Sequence, residues 1–160
     1  MTKKKHKLTL KLILLFSIFA LIAAYFIEYV LGHQPCNLCL IERIPFVIAI
    51  IIILFCLYFK KLEKLSFIFL SSIFFIATLI SFYHFGIEQG FIKESLVCDL
   101  DIKSDIVTKE DLLNQLKQKT ISCKDVTFKF LGFSLATINI FTSLIISYIT
   151  MKLFLSYEKN

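Results

Sequence analysis

Four apolar runs set the pattern of this chain: Leu12–Val30, Ile44–Phe59, Leu65–Ile87 and Phe130–Met151. A helix packed on a soluble core shows a polar face at helical period, and these runs show none. The first carries one charge near its end, Glu28. The second has no charge but only 16 residues, about 24 Å as a helix. It reaches spanning length only if the segment before it is wound in, with Arg43 snorkelling toward the headgroups. The pattern predicts an all-α membrane protein, a four-transmembrane-helix bundle forming one integral membrane domain over residues 1–160. The helices are expected at about 10–31, 38–59, 65–87 and 130–152, with outer loops at about 32–37 and 88–129.

Composition agrees. Of 160 residues, 58% are hydrophobic, and mean hydropathy is +0.79, which belongs to the membrane class. Charge then sets the expected orientation. Lys3, Lys4, Lys5, Lys7, Lys11, Lys60, Lys61, Lys64, Lys152 and Lys159 flank one side, opposed only by Glu63 and Glu158, a net of +8. The other side holds eight basic residues and ten acids, a net of −2. The positive-inside rule puts both termini and the 60–64 turn in the cytoplasm. The basic arm 1–11 suits anionic membrane lipid. With the lysines confined to membrane flanks, nucleic acid is not an expected partner. A cleavable signal peptide over residues 1–24 is disfavoured by the length of the apolar run. No pair of small residues at −3 and −1 stands out near Ala23–Ala24 either.

The outer segments hold the polar chemistry. Gly32 is an expected stop for the first helix, and Pro35 stiffens the start of the second. Pro45 sits in the first turns of that helix, where proline is tolerated. Ser66, Ser71, Ser72, Thr78 and Ser81 in the third run are residues of the kind that mediate helix contacts in lipid. His84 reads equally as a proton relay or ligand and as a hydrogen-bonding residue at headgroup level. In the long outer loop, Thr108-Lys109-Glu110-Asp111 resembles a capping box, with Leu112, Leu113 and Leu116 on one face. That predicts a short amphipathic helix, read either as lying on the membrane or as a solvated loop helix.

Five cysteines divide into four outward and one in the membrane. Cys56, deep in an apolar run, is expected to be a small buried hydrophobe. Cys36, Cys39, Cys98 and Cys123 form an even outward set, as an oxidising compartment favours. A Cys98–Cys123 bridge would close a loop of 26 residues, a constraint worth roughly 3.5 kcal/mol in the chain-entropy view. A Cys36–Cys39 bridge restrains almost no chain, so its use is chemical. If the segment from Leu38 is helical, Cys39 and Arg43 share a face, and the cation favours a thiolate. The rival chemistry is a metal site of Cys36, Cys39, His33 and His84. Without a second Cys-x-x-Cys, and with Arg43 opposing a cation, no metal is expected.

Pro35-Cys36-Asn37-Leu38-Cys39-Leu40-Ile41-Glu42-Arg43 resembles the first outer loop of the DsbB family, the membrane disulfide bond formation proteins. Cys98, Cys123 and Phe128-Lys129-Phe130-Leu131-Gly132 extend the resemblance over nearly the whole chain. It implies a thiol:quinone oxidoreductase of the bacterial inner membrane with its active face in the periplasm. A DsbA-like, thioredoxin-fold partner in its dithiol form would attack a Cys98–Cys123 bridge at Cys98. Cys123 would then exchange with the Cys36–Cys39 pair. Electrons would leave from Cys39 to ubiquinone or menaquinone, with Arg43 steadying charge on the quinone oxygen. An apolar pocket lined by the second and third runs, with the Tyr83–Glu88 region beside it, would hold the quinone. A dedicated substrate partner for the same chemistry, or a metal-binding membrane protein, are the alternative readings.

Overall fold

The computed structural model describes residues 2–59, 63–93, 123, 129–130 and 132–158. Five helices and one short hairpin make up the described chain: α1 (Thr2–Tyr29), α2 (Asn37–Ile41), α3 (Ile44–Tyr58), α4 (Glu63–Glu88), β1 (Lys129–Phe130), β2 (Phe133–Ser134) and α5 (Leu135–Glu158). Among the described residues, four helical spans are long and apolar enough to cross a membrane: α1, α2 with α3 (Asn37–Tyr58), α4 and α5. The all-α, four-span expectation holds.

The spans wear their apolar side chains outward. Phe19, Ile51, Phe82 and Tyr148 are among the many large hydrophobics left exposed, the arrangement lipid stabilises and water does not. The shared interior draws on all four spans. Leu10 and Ile13 of α1 meet Phe46, Ala49, Ile53 and Cys56 of α3. Phe67, Leu70 and Phe74 of α4 and Ile146 of α5 complete the cluster. Cys56 is buried there with a free thiol, in keeping with a small hydrophobe.

Small residues bring α4 and α5 together. Ser71 Oγ donates to the Ser147 carbonyl at 3.2 Å, and Ser147 Oγ donates to the Ser71 carbonyl at 3.0 Å. Two short side chains facing one another permit close backbone approach, the usual adhesive of helices in lipid.

Three boundaries differ from expectation, each for a local reason. α1 begins at Thr2, so the basic arm continues the helix. The second span is not one helix: α2 ends at Ile41, and α3 begins at Ile44 after a turn at Glu42–Arg43. Pro45 has no N–H to offer the Ile41 carbonyl, so the regular ladder fails there. The fourth span begins at Leu135 and not near 130, because Lys129–Ser134 forms an antiparallel hairpin. Lys129 pairs with Ser134 and Phe130 with Phe133, around Gly132 at φ +86°. Ser134 then caps α5, accepting the Thr137 N–H at 3.2 Å.

α4 stops where expected. Gly90 (φ +76°) follows its last turn, with Gly90 N–H bonded to the Ile87 carbonyl and Phe91 N–H to Gly86. This paired arrangement satisfies the last carbonyls of α4. The expected amphipathic helix around residues 108–116 lies outside the described residues.

Candidate active site

Two cysteines, one histidine and two carboxylates meet where the starts of α2 and α5 adjoin the end of α4. Cys36 is the N-cap of α2, with an extended backbone (φ −73°, ψ 168°), and its sulfur accepts the Cys39 N–H at 3.3 Å. One turn of helix brings the Cys39 sulfur to 2.9 Å from that of Cys36. Both thiols are free. On the other side, His84 Nε2 stands 3.5 Å from the Cys36 sulfur.

These contacts bias Cys36 toward its thiolate. The hydrogen bond from the Cys39 thiol is the largest influence and lowers the Cys36 pKa from 9.0 to about 4. Burial works against it, while the His84 contact and the Cys39 N–H add to the lowering. The thiolate at the start of a helix, fed by a thiol, an imidazole and a backbone N–H, is a prepared nucleophile.

The turn at Glu42–Arg43 is what orients the remaining groups. It sends the Glu42 side chain inward, where Oε1 lies 2.8 Å from His84 Nδ1. Glu42 Oε2 accepts from Asn139 Nδ2 at 3.2 Å, and Asn139 also donates to Ser81 Oγ at 2.8 Å. Ser143 Oγ donates to Asn139 Oδ1 at 3.2 Å. Nδ1–H bonded to the carboxylate leaves Nε2 as the nitrogen facing sulfur. A line of polar contacts therefore runs from Cys36 through His84 and Glu42 to α5. Glu88, one turn beyond His84, brings Oε1 to 3.8 Å from Nε2.

The same turn sends Arg43 the other way. Its Nη1 donates to Glu28 Oε2 at 2.5 Å, and its guanidinium lies 5.1 Å from the centre of the Tyr25 ring. The shared face expected for Cys39 and Arg43 is thus interrupted, and the group beside the thiols is His84. Arg43 instead lines a cavity of about 380 Å³ with Tyr25, Glu28, Tyr29, Leu40, Ile44 and Val47. This cavity lies between the first and second spans. Leu40 joins it to the cysteine pair next along the chain.

Cys123 reaches the same place from the long loop. It is disulfide-bonded and 2% exposed. Its neighbours in one apolar cluster are Cys36, Leu38 and Ile87, with Cys39, Ile41 and Tyr83 packed against them. Its expected partner Cys98 lies outside the described residues. Four of the five expected site residues are therefore placed: Cys36, Cys39 and Cys123 together, and Arg43 one helix turn away on the far side.

Sequence reading gave no role to Glu42, Asn139, Glu28 or Tyr25. The available signal was an acid and an amide inside apolar spans, where a polar group finds a partner or is costly. His33 stands outside the cluster that Cys36, Cys39 and His84 form.

A family model described as disulfide bond formation protein DsbB matches residues 6–153. An uncharacterized protein of Rickettsia prowazekii (strain Madrid E) is 29% identical over 160 residues, covering 99% of this chain and 92% of that protein. No solved structure matches.

Proposed function

The chain belongs to the DsbB family of disulfide bond formation proteins, and from that premise we propose that it reoxidises a periplasmic thioredoxin-like oxidase and passes the electrons to membrane quinone. The protein is a multi-pass membrane protein of disulfide-bond formation. The charge distribution supports cytoplasmic termini and a periplasmic cysteine face, in the inner membrane of a bacterium.

The observation that carries the reading is the burial of disulfide-bonded Cys123 against Cys36. A thiolate of the partner attacks Cys98 and releases Cys123. The partner's second thiol closes the partner's own disulfide and releases Cys98. Cys123 attacks Cys36 of the Cys36–Cys39 disulfide, and Cys39 leaves as a thiolate. Cys98 then attacks Cys123, restoring the loop bridge and leaving Cys36 and Cys39 as the reduced pair. Each exchange breaks one S–S bond and forms one. His84 stands where its ring can stabilise the Cys36 thiolate as that sulfur is released, with Glu42 holding the ring.

The residues around Arg43 fit a planar, lipid-soluble carbonyl compound. Tyr25, Tyr29, Leu40, Ile44 and Val47 give aromatic and apolar walls, and the guanidinium has donors beyond the Nη1 that meets Glu28. Quinone, when bound, supplies the sink for two electrons and two protons. Arg43 would orient it, and the apolar walls would keep water from the pair.

The test is turnover of purified protein in lipid with a reduced periplasmic thioredoxin-like oxidase and a short-chain quinone. We expect quinone loss equal to partner disulfide formed, and none with Cys39→Ser. Partner oxidation that proceeds at full rate without quinone under exclusion of oxygen would sink the reading.

A further inference from the structure

We infer that the reduced site is also a metal trap: Cys36, Cys39, His84 and Glu88 bind one soft divalent cation, represented by Zn²⁺, and while bound it silences disulfide transfer. The inference concerns the dithiol state alone and goes beyond the electron relay.

The donor set is the first argument. Cys36 Sγ, Cys39 Sγ and a ring nitrogen of His84 all lie within 4.8 Å of one another. Sulfur to sulfur is 2.9 Å, and Cys36 sulfur to Nε2 is 3.5 Å. With Zn–S near 2.3 Å and Zn–N near 2.0–2.1 Å, tetrahedral donors stand roughly 3.3–3.8 Å apart. The nitrogen already sits at that spacing, and Cys39 need only swing outward by under about 1 Å. Cys-x-x-Cys is the spacing that zinc sites use most.

The fourth position is open to Glu88, which stands outside the 4.8 Å cluster of the other three donors, beside Ser134, and swings in to complete the shell. The Glu88 side chain is 6% exposed, with Oε1 3.8 Å from His84 Nε2. Its Oε2 is buried without a hydrogen-bond partner. A buried carboxyl oxygen left unpaired is costly, and a cation that draws Glu88 toward His84 and the sulfurs removes that cost.

The surroundings are the third argument. A metal-binding histidine characteristically gives its far N–H to a carboxylate that is itself hydrogen-bonded. His84 Nδ1 meets Glu42, and Glu42 meets Asn139. The electrostatic objection drawn from sequence, that Arg43 repels a cation, is removed because Arg43 turns away to Glu28.

Binding moves no electrons. Cys36 binds as the thiolate it already is, Cys39 exchanges its S–H bond for an S–Zn bond, and that proton leaves to solvent. The bound sulfurs are then withheld from exchange, and oxidation of the pair must first expel the ion.

The experiment uses the full chain in detergent with Cys98→Ser, Cys123→Ser and Cys56→Ala, so that Cys36 and Cys39 are its only thiols. Zinc is titrated against a chromophoric chelator, and cobalt(II) serves as the optical probe. We expect one zinc per reduced chain, none after the pair is oxidised, and intense thiolate-to-cobalt absorption. Cys36→Ser and Cys39→Ser should lose stoichiometric binding, and Glu42→Gln should weaken it about 10–100-fold. X-ray absorption of the zinc-loaded chain should give two sulfurs, one nitrogen and one oxygen, which holds the claim to account even if a variant fails to fold. A shell without sulfur, equal binding by the oxidised chain, or binding that survives His84→Ala would overturn it. Inhibition of wild-type turnover by zinc, reversed by chelator, is the functional consequence. The titration involves neither quinone nor partner, so loss of the relay reading and loss of the metal site are separate outcomes.

Discussion

His84 and Cys36, 48 residues apart in the chain, bring Nε2 and Sγ to 3.5 Å inside the helix bundle. The pairing depends on the end of α4 being held against the start of α2, so thiol chemistry and helix packing are one problem here. If His84 stabilises the negative charge on Cys36, replacing it should slow the step in which that sulfur leaves as a thiolate. We expect His84→Gln to slow release of Cys36 from its mixed disulfide with Cys123 by about 10²-fold, in the range seen when a positioned charge-stabilising donor is removed. Stopped-flow measurement of single-turnover exchange checks this, with binding of the partner unchanged. An equal slowing of the earlier attack at Cys98 would mean that His84 acts only on the fold.

The titration of Cys36 gives a second test. Its pKa is lowered from 9.0 to about 4. The folded state therefore prefers the thiolate, and the stability this brings is complete above about pH 9. It declines as pH falls through the interval and is gone below about pH 4. The ultraviolet thiolate absorbance of the reduced chain, less that of Cys36→Ala, should stay flat from pH 8 down to pH 5 and halve near pH 4. In Cys39→Ala the strongest contribution is lost, so the midpoint should climb toward the ordinary thiol value. A midpoint that ignores Cys39 would place the cause elsewhere.

Much of this was legible in the sequence, and the rest was hidden for definite reasons. The four spans follow from uniformly apolar runs. Gly32, the expected stop of the first helix, is left-handed just beyond the last turn of α1, where glycine carries no strain. The hairpin before α5 was missed because Phe130-Leu131-Gly132-Phe133 reads as apolar helix, and only Gly132 argued otherwise. Pro45 read only as tolerated in the first turns of the second helix, so neither the break at Glu42–Arg43 nor the outward turn of Arg43 and inward turn of Glu42 was foreseen. Cys36 and Cys39 declared themselves by spacing. The partnership of Glu42 with Asn139, 97 residues away, is a tertiary fact that no local pattern carries.

The division of the cysteines yields a third expectation. Cys56 is buried among Ala49, Ile53 and Phe67 in the shared interior, away from the cluster that holds Cys36 and Cys123. Cys56→Ala removes a small buried group and should cost stability of about 1 kcal/mol with turnover unchanged. Cys123→Ser should leave the fold in place and stop turnover, since the loop can no longer hand its electrons to Cys36. Thermal unfolding beside quinone-linked activity separates the two. If Cys56→Ala were to stop turnover, a thiol in the membrane interior would have to enter the relay.

Arg43 and Glu28 provide the last test, because their pairing decides what Arg43 is available to do. The two side chains are partly exposed, at 15% and 19%, so the pair is worth less than a buried one and is partly screened. Glu28 still holds the guanidinium against Tyr25, at the wall of the cavity between the first two spans. If quinone is oriented there, Arg43→Ala should raise its KM about 10-fold, equivalent to about 1.4 kcal/mol. Exchange among Cys98, Cys123 and Cys36 should be untouched, because the thiolate at Cys36 owes its stability to Cys39 and His84 and not to Arg43. Glu28→Gln keeps the guanidinium but loosens its direction, so its effect on KM should be smaller than that of Arg43→Ala. Arg43→Lys should rescue little, since a point charge cannot reproduce a planar donor set resting on an aromatic ring. Steady-state kinetics with varied quinone, set beside single-turnover thiol exchange, distinguishes this pattern from simple damage to the bundle. An equal loss in both measurements would remove Arg43 from the quinone site and leave it as a strut between α1 and α3.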